Sequence, residues 1–351
     1  MKKLLTKVLK LVIDKVKRNK FVQNVFESPF ELEKFQNLGV FRDSDGNVHK
    51  LYKGLRTKIK PGWERMVNRK QRNLSDVDID KLKVNSYLAL NKLESTLNTY
   101  GKTIENSRVL EIGCDSGSVS FAMAERGAKM VVGTEFNGYK VDAVSNQTAN
   151  NVSKLNEADE FLKSLRNKLQ GLYSINNNIE FKNDDICNTS LNVGKFDVIC
   201  SWDVLEHVHD PKQAFESISK LLDIGGISIH KYNSFFSLNG GHSMCTLDFL
   251  WGHARLSKND FVNYVNTLRP SEVDKALSFY EKGLNRLTLT ELNSILINTG
   301  MEILGVIPFT KEQHLRMVNE DTLSQVRKNY KSIQLMDLIS PTVMVITKRI
   351  K

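Results

Sequence analysis

Val109-Leu-Glu-Ile-Gly-Cys-Asp-Ser-Gly-Ser-Val119 is the stretch whose reading decides the fold. An apolar, strand-like run stops at Ile112, and two glycines follow before helix-compatible sequence resumes near Val119. Glycine adopts torsions closed to other residues and lets a main chain approach a ligand, so Gly113 and Gly117 mark a tight strand-to-helix turn. In open parallel sheets, ligands bind at the carboxyl ends of strands where the strand order reverses. One such turn is weak evidence alone. The dinucleotide pattern GxGxxG is excluded, because from Gly113 the chain reads Gly-Cys-Asp-Ser-Gly-Ser.

Outward from that turn, strand-like runs recur at 108–112, 130–135, 179–181, 196–201 and 227–232, separated by helical stretches. This alternation predicts a parallel α/β sheet with helices on both faces. Runs at 302–308 and 342–348 close the chain. Before the turn, Leu82, Tyr87, Leu90, Leu93 and Leu97 keep helical spacing from Asp78 to about Tyr100, where Gly101 is a stop signal. Three stretches exceed what a minimal sheet of this type needs. They are 151–178, which includes a helix over 155–169, then 233–289, read as a lid, and 311–341; insertions of this length are usually functional. The expected organisation is a helical N-terminal extension over 1–77 and one domain over 78–351.

Residues 1–26 read as an amphipathic helix. Leu5, Val8, Val12 and Val16 share one face, and Lys3, Lys7, Lys10 and Lys17 the other, offset only by Asp14. That pattern suits peripheral contact with an anionic membrane, and equally docking on the protein's own body or on a second copy in a homodimer. Lys7 and Lys10 interrupt the apolar run, which argues against a signal peptide. From Glu27 to Leu74 the sequence resists assignment, apart from a turn at Asp43-Ser-Asp-Gly46 and an irregular run at Lys58-Ile-Lys-Pro-Gly-Trp63.

The chain of 351 residues is 40% hydrophobic, enough for a sizeable core, and carries a formal net charge of +10. A basic balance is compatible with nucleic acid, a membrane surface or a phosphorylated substrate and does not choose among them. No apolar run approaches the ~18 residues of a spanning helix. Cys114, Cys187, Cys200 and Cys245 show neither a CxxC pair nor metal-ligand spacing, so no metal is expected and a reducing cytoplasm fits best.

Three further stretches stand in register with the turn: Val131-Val-Gly-Thr-Glu135, Phe181-Lys-Asn-Asp-Asp-Ile186 and Phe196-Asp-Val-Ile-Cys-Ser-Trp-Asp-Val-Leu-Glu-His-Val-His-Asp-Pro211. Glu135 ends the second strand about 20 residues past the glycine turn, where an acidic side chain accepts hydrogen bonds from ribose hydroxyls. Together with Leu222-Asp-Ile-Gly-Gly-Ile-Ser-Ile229, these stretches make the chain resemble the class I, Rossmann-like S-adenosylmethionine-dependent methyltransferases. The resemblance covers about 107–232 well and continues more loosely through Leu284-Asn-Arg-Leu-Thr-Leu-Thr290 to the last strand. The family signature is (Asp/Glu)-x-Gly-x-Gly-x-Gly. Glu111, Gly113 and Gly117 match it, while Asp115 replaces the middle glycine, a departure that bears on cofactor affinity. Asp tolerates positive φ better than most residues.

The resemblance implies a seven-stranded doubly wound sheet, parallel with one antiparallel strand, with S-adenosyl-L-methionine as cofactor. It assigns adenine contact to Asp185, with Asp184 as the alternate, although the Asp-Asp pair equally reads as a turn. The implied cofactor set is Glu111, Gly113, Cys114, Asp115, Gly117, Glu135, Phe136, Asp185, Ile186, Ser201 and Trp202. Methyl transfer to a hydroxyl also needs a proton removed, which suits a histidine. His207 follows the fourth strand, and His242 in Asn239-Gly-Gly-His-Ser243 and His253 in Trp251-Gly-His253 lie in the insertion. All three are candidate bases; the alternatives are a helix-capping role for His207 and lid structure for the other two.

The segment Leu205-Glu-His-Val208 resembles enzymes that methylate quinone precursors and sugars. Asn233-Ser-Phe-Phe-Ser-Leu-Asn-Gly-Gly-His242 resembles, more loosely, methyltransferases of bacterial surface saccharides. The expectation is O-methylation of a small-molecule, saccharide or lipid-linked acceptor by a cytoplasmic enzyme, with membrane association left open. Nucleic acid is disfavoured, because Ser201-Trp202-Asp203-Val204 stands where base-amino methyltransferases carry Asn/Asp-Pro-Pro-Tyr/Phe. Protein methylation, or a non-catalytic cofactor-binding or interaction role, are the remaining readings.

Overall fold

Strands buried on both faces need unbroken apolar runs, and the strands flanking the glycine turn have them. The computed structural model describes residues 29–68, 73–137, 151–176 and 178–351, so the amphipathic segment expected over 1–26 lies outside the described residues. After a hairpin of β1 (Asn37–Arg42) and β2 (Val48–Tyr52) come the short helices α1 (Leu55–Ile59) and α2 (Trp63–Val67), then α3 (Ile79–Thr99). Asp78 caps α3 by accepting from the Lys81 amide at 2.9 Å. The sheet follows with β3 (Arg108–Ile112), α4 (Ser118–Glu125), β4 (Met130–Glu135), α5 (Asn151–Gln170), β5 (Ile179–Asn183), β6 (Phe196–Trp202), α6 (Pro211–Leu221) and β7 (Leu222–Tyr232). Asp210 and Pro211 start α6 as cap and first helical residue.

The insertion after β7 folds into α7 (His242–Cys245), α8 (Gly252–Arg255), α9 (Lys258–Leu268), α10 (Val273–Ser278) and a π-helical turn (Phe279–Gly283). The chain ends with α11 (Leu289–Asn298), β8 (Met301–Phe309), α12 (Glu312–Met317), α13 (Glu320–Asn329), α14 (Leu335–Ile339) and β9 (Thr342–Arg349). The main sheet has seven strands in the order β5-β4-β3-β6-β7-β9-β8, with β9 antiparallel to both neighbours and the rest parallel. The doubly wound sheet expected from the sequence is therefore present. The strand order reverses between β3 and β6, which sets the binding edge at Ile112 and Trp202.

Two apolar layers cover the sheet. One face packs Leu90, Leu93, Phe121 and Leu165 from α3, α4 and α5; the other packs Phe215, Ile218 and Leu292 from α6 and α11. A third core lies beyond the sheet and corrects two expectations. The extension, expected to be helical, carries the β1–β2 hairpin, which turns Phe41, His49 and Leu51 inward and leaves Leu38, Val40 and Val48 exposed. The insertion expected as a lid is no loose flap. Phe235, Phe236, Trp251, Phe261 and Tyr264 bury against Phe41, Leu51 and Leu55 of the extension and against Val326 and Leu338 of the 311–341 segment. Aromatic burial on this scale fixes the insertion as a packed subdomain. No helix among the described residues is long and apolar enough to cross a membrane.

Candidate functional site

The turn after β3 is built as its glycines require. Gly113 has φ +68°, and a Cβ there would stand 2.4 Å from Val204 Cγ2; Gly117 has φ +75°, and a Cβ would meet Phe181 at 2.5 Å. Asp115, at the position of the family's middle glycine, takes φ +44° and so keeps the turn. Three contacts hold the loop. The Cys114 amide donates to the Thr134 carbonyl at 2.8 Å, and the Asp115 amide donates to Glu135 Oε2 at 2.8 Å. From α5, Arg166 donates to the Asp115 carbonyl through Nη2 at 2.7 Å and Nε at 3.2 Å, its guanidinium 4.3 Å from the Phe181 ring centre. The sequence reading placed α5 but missed Arg166, because a lone arginine on an inserted helix carries no local signal.

Around this loop opens a cavity of about 750 Å³. One wall consists of Gly113, Asp115, Glu135, Phe136, Asp185, Ile186 and Trp202, all expected, together with Asp184. Asp184 is held by the Ser190 amide at 2.8 Å, and Asp185 caps the following turn by accepting from the Cys187 amide at 2.9 Å. Asp184 Oδ2 and Trp202 Nε1 are buried without a hydrogen-bond partner among the described residues. Such orphaned atoms beside a cavity fit a ligand rich in donors and acceptors, such as an adenosine moiety. The other wall is Asp203, Val204, His207 and His209 after β6, with Glu281, Lys282, Leu284 and Asn285 from the π-helical turn and its exit. Asn285 ties the two halves of this wall together: its amide donates to the Glu206 carbonyl at 2.8 Å and its Nδ2 to that of Val208 at 3.0 Å.

The three candidate histidines separate. His207 lines the cavity, and its Nδ1 bonds the Gly283 carbonyl at 2.6 Å. A carbonyl only accepts, so Nδ1 carries the proton and Nε2 is the basic nitrogen. Burial, the main cause, holds the pKa of His207 below its usual value. His242 packs beside it, ring centroids 5.3 Å apart, behind the cavity wall, and burial lowers its pKa strongly. His242 opens α7 with φ +49°. His253 is a core residue. It is 1% exposed, its Nε2 donates to the Phe235 carbonyl at 2.8 Å, and burial pushes its pKa down to about 4. The aromatic cluster that absorbs the insertion buries it away from the cavity.

Four residues of the expected cofactor set also stand behind the wall. Glu111 is buried, accepts from the Ser120 hydroxyl and is pushed up to about 7 by burial, so it pins α4 to β3. Cys114 directs its thiol toward Arg166 at 3.4 Å. Gly117 starts α4. Ser201 is wholly buried and bonds His230 Nδ1 at 2.8 Å, because alternate side chains of β6 face opposite layers. Glu206, not singled out from the sequence, is 1% exposed, accepts from the Asn233 amide at 3.2 Å and from its Nδ2 at 3.0 Å, and is pushed up to about 7 by burial.

A family profile described as a methyltransferase domain matches residues 85–305, more than half of the chain. The mitochondrial ubiquinone biosynthesis O-methyltransferase of Dictyostelium discoideum is 30% identical over 142 residues, covering 38% of this chain and 37% of that protein. The ubiquinone biosynthesis O-methyltransferase of Haemophilus ducreyi is 25% identical over 131 residues, covering 37% and 47%. The chain thus spans less than half the length of these relatives. Among solved structures, magnesium protoporphyrin IX methyltransferase from Synechocystis with bound SAH is similar at 14% identity and a TM-score of 0.41, covering 82% of this chain and 92% of that one.

Proposed function

The chain belongs to the methyltransferase domain family, in its Rossmann-like, S-adenosylmethionine-dependent class, and from that premise we propose that it methylates an oxygen of a small-molecule or saccharide acceptor. The observation that carries the proposal is a single cavity whose walls differ in kind. The β3–β5 edge offers a glycine turn and four carboxylates, while the facing wall offers His207 and the π-helical turn of the insertion. S-adenosylmethionine, when bound, supplies a methyl group already activated on a sulfonium.

The chain's residues then act by binding and alignment. Glu135 receives the ribose hydroxyls and at the same time anchors the Asp115 amide. Asp185 or Asp184, with Ile186 and Phe136, frames the adenine, and Trp202 closes the floor. The acceptor lies against Glu281, Lys282, Leu284 and Asn285, with its oxygen toward His207. His207, the histidine that lines the cavity, relieves that oxygen of its proton. The packed insertion keeps bulk water from the reacting oxygen. The ubiquinone enzymes among the relatives support an oxygen acceptor. The basic segment 1–26 supports a lipid-linked acceptor reached at a membrane surface.

The test is calorimetric titration of the protein with S-adenosylmethionine, repeated with Glu135→Ala, followed by transfer of labelled methyl to phenolic and sugar hydroxyls. Binding that Glu135→Ala weakens at least tenfold, with label in an ether-linked methyl, is the expected result. Absence of binding by the unaltered chain refutes the proposal.

A further inference from the structure

The π-helical turn Phe279–Gly283 stands between two cavities. Lys282 and Leu284 line the one described above, Tyr280 and Arg286 line a second of about 360 Å³, and Glu281 lines both. Lys258, the first residue of α9, also lines the second. Single π-helical turns are rare and occur frequently at functional sites.

Arg286 brings a positive charge to this second cavity that no carboxylate balances. Arg56 and Arg269, beside the same core, meet Glu272 and Asp248 at 2.8 Å. Among the described residues no carboxylate pairs with Arg286. Its guanidinium is instead fixed in place. It donates to the carbonyls of Leu284 and Tyr280, and it lies 4.5 Å from the ring centre of Phe235 and 4.4 Å from that of Tyr280. A guanidinium held in this way meets an anion without first being ordered.

Lys258 adds a second, movable charge. Its Nζ stands 2.9 Å from Glu281, but the two side chains are 66% and 41% exposed, and an ion pair so open to water is weak and readily exchanged. Two cations against one carboxylate leave the lining net positive.

We propose that this second cavity binds a phosphate group carried by the methyl acceptor, with Arg286 as its fixed contact and Lys258 as its mobile one. A guanidinium fork matches the oxygens of a phosphate bidentately. The turn supplies the connection to the chemistry. Its Gly283 carbonyl accepts from His207 Nδ1 at 2.6 Å, so the element that lines the anion cavity also orients the histidine assigned to the acceptor hydroxyl. An acceptor laid across Glu281 has its phosphate on one side of the turn and its hydroxyl on the other. The inference rests on the O-methylation reading above and narrows the acceptor to a phosphate ester of a phenol or a sugar. The formal net charge of +10 favours the approach of such a substrate.

The test titrates the full chain calorimetrically, in phosphate-free buffer, with phenyl phosphate, glucose 1-phosphate and inorganic phosphate, and with phenol and glucose as uncharged counterparts. It is repeated on Arg286→Gln and Lys258→Ala; the second removes an exposed charge outside the core and keeps the test decisive if the first unfolds. The expected result is that at least one ester binds at least tenfold more tightly than its counterpart, with that preference lost in Arg286→Gln and cut at least threefold in Lys258→Ala. Esters bound no better than phenol and glucose overturn the inference, as does a preference that neither variant changes. Inorganic phosphate bound where neither ester binds overturns the assignment of the anion to the acceptor. S-adenosylmethionine binding measured in parallel separates the two claims. Cofactor binding without a preference for esters removes only the phosphate site, and ester preference without cofactor binding removes the O-methylation reading and leaves the site.

Discussion

Replacing Arg166 with Met tests whether an inserted helix, rather than the glycine turn alone, sets cofactor affinity. Met keeps an unbranched apolar stem beside Phe181 but cannot donate to the Asp115 carbonyl, which now receives bonds of 2.7 and 3.2 Å. A hydrogen bond from a charged group contributes roughly 1.5–3 kcal/mol, and an exposed cation–π contact about 0.5–1 kcal/mol. Arg166 is half-buried, so water replaces part of what is lost. The expected net loss is therefore about 1.4 kcal/mol, a tenfold weakening of S-adenosylmethionine binding. The loss appears in binding because Asp115, at φ +44°, is poised for a ligand only while its carbonyl is held. Calorimetric titration at fixed ionic strength measures it, with thermal unfolding to confirm an intact fold. Arg166→Lys keeps the charge without the fork and should recover less than half of the loss. Affinity within twofold of the unaltered chain, with the fold intact, would refute the reasoning and leave Glu135 and Thr134 as the loop's supports.

Gly113→Ala should abolish measurable cofactor binding and lower stability by about 2 kcal/mol or more, because it adds left-handed strain to a 2.4 Å approach to Val204; titration and urea unfolding check both. His207→Ala should cut methyl transfer by roughly 10²–10⁴-fold and leave S-adenosylmethionine affinity within twofold, since His207 stands on the acceptor wall. Buried neutral imidazoles predict acid lability. Burial lowers His253 and His314 to about 4 and His230 to about 3 in the folded chain, below the ordinary 6.5. Their stability contribution is therefore complete above pH 6.5 and is lost as pH falls toward 4. The urea midpoint should drop steeply across that window and less steeply in His253→Gln; a flat midpoint would contradict the neutral, buried state.

The sheet was legible because each of its strands carries its own local pattern. The runs beginning at Arg108 and Met130 have identical limits in sequence and structure, since turn chemistry and apolar periodicity end together there. One wall of the cavity was legible for the same reason: Gly113, Asp115, Glu135, Asp185 and Trp202 sit at or just past strand ends, where register alone places them. What stayed hidden depends on distant packing. The β1–β2 hairpin is short, and its inward Phe41 and Leu51 have meaning only against Phe249, Tyr264 and other residues of the insertion. Arg166 and Glu206 act through contacts with residues distant in the chain, Asp115 and Phe181 for the first and Asn233 for the second. In the sequence His253 is a candidate base within the insertion, whereas the packed insertion buries it with its Nε2 donating to the Phe235 carbonyl.

The third core brings together residues near 41–59, 235–284 and 326–339. During synthesis the first of these segments waits, with partners missing, until residues 326–339 have been made. The Rossmann-like sheet faces the same delay, because β9 enters between β7 and β8 last. Third core and sheet thus mature in one late, cooperative event. A chain interrupted before residue 326 would expose Phe235, Phe236 and Trp251 together, a surface that chaperones and proteases recognise. Completion of this core therefore serves as a checkpoint on everything made between Phe41 and β9.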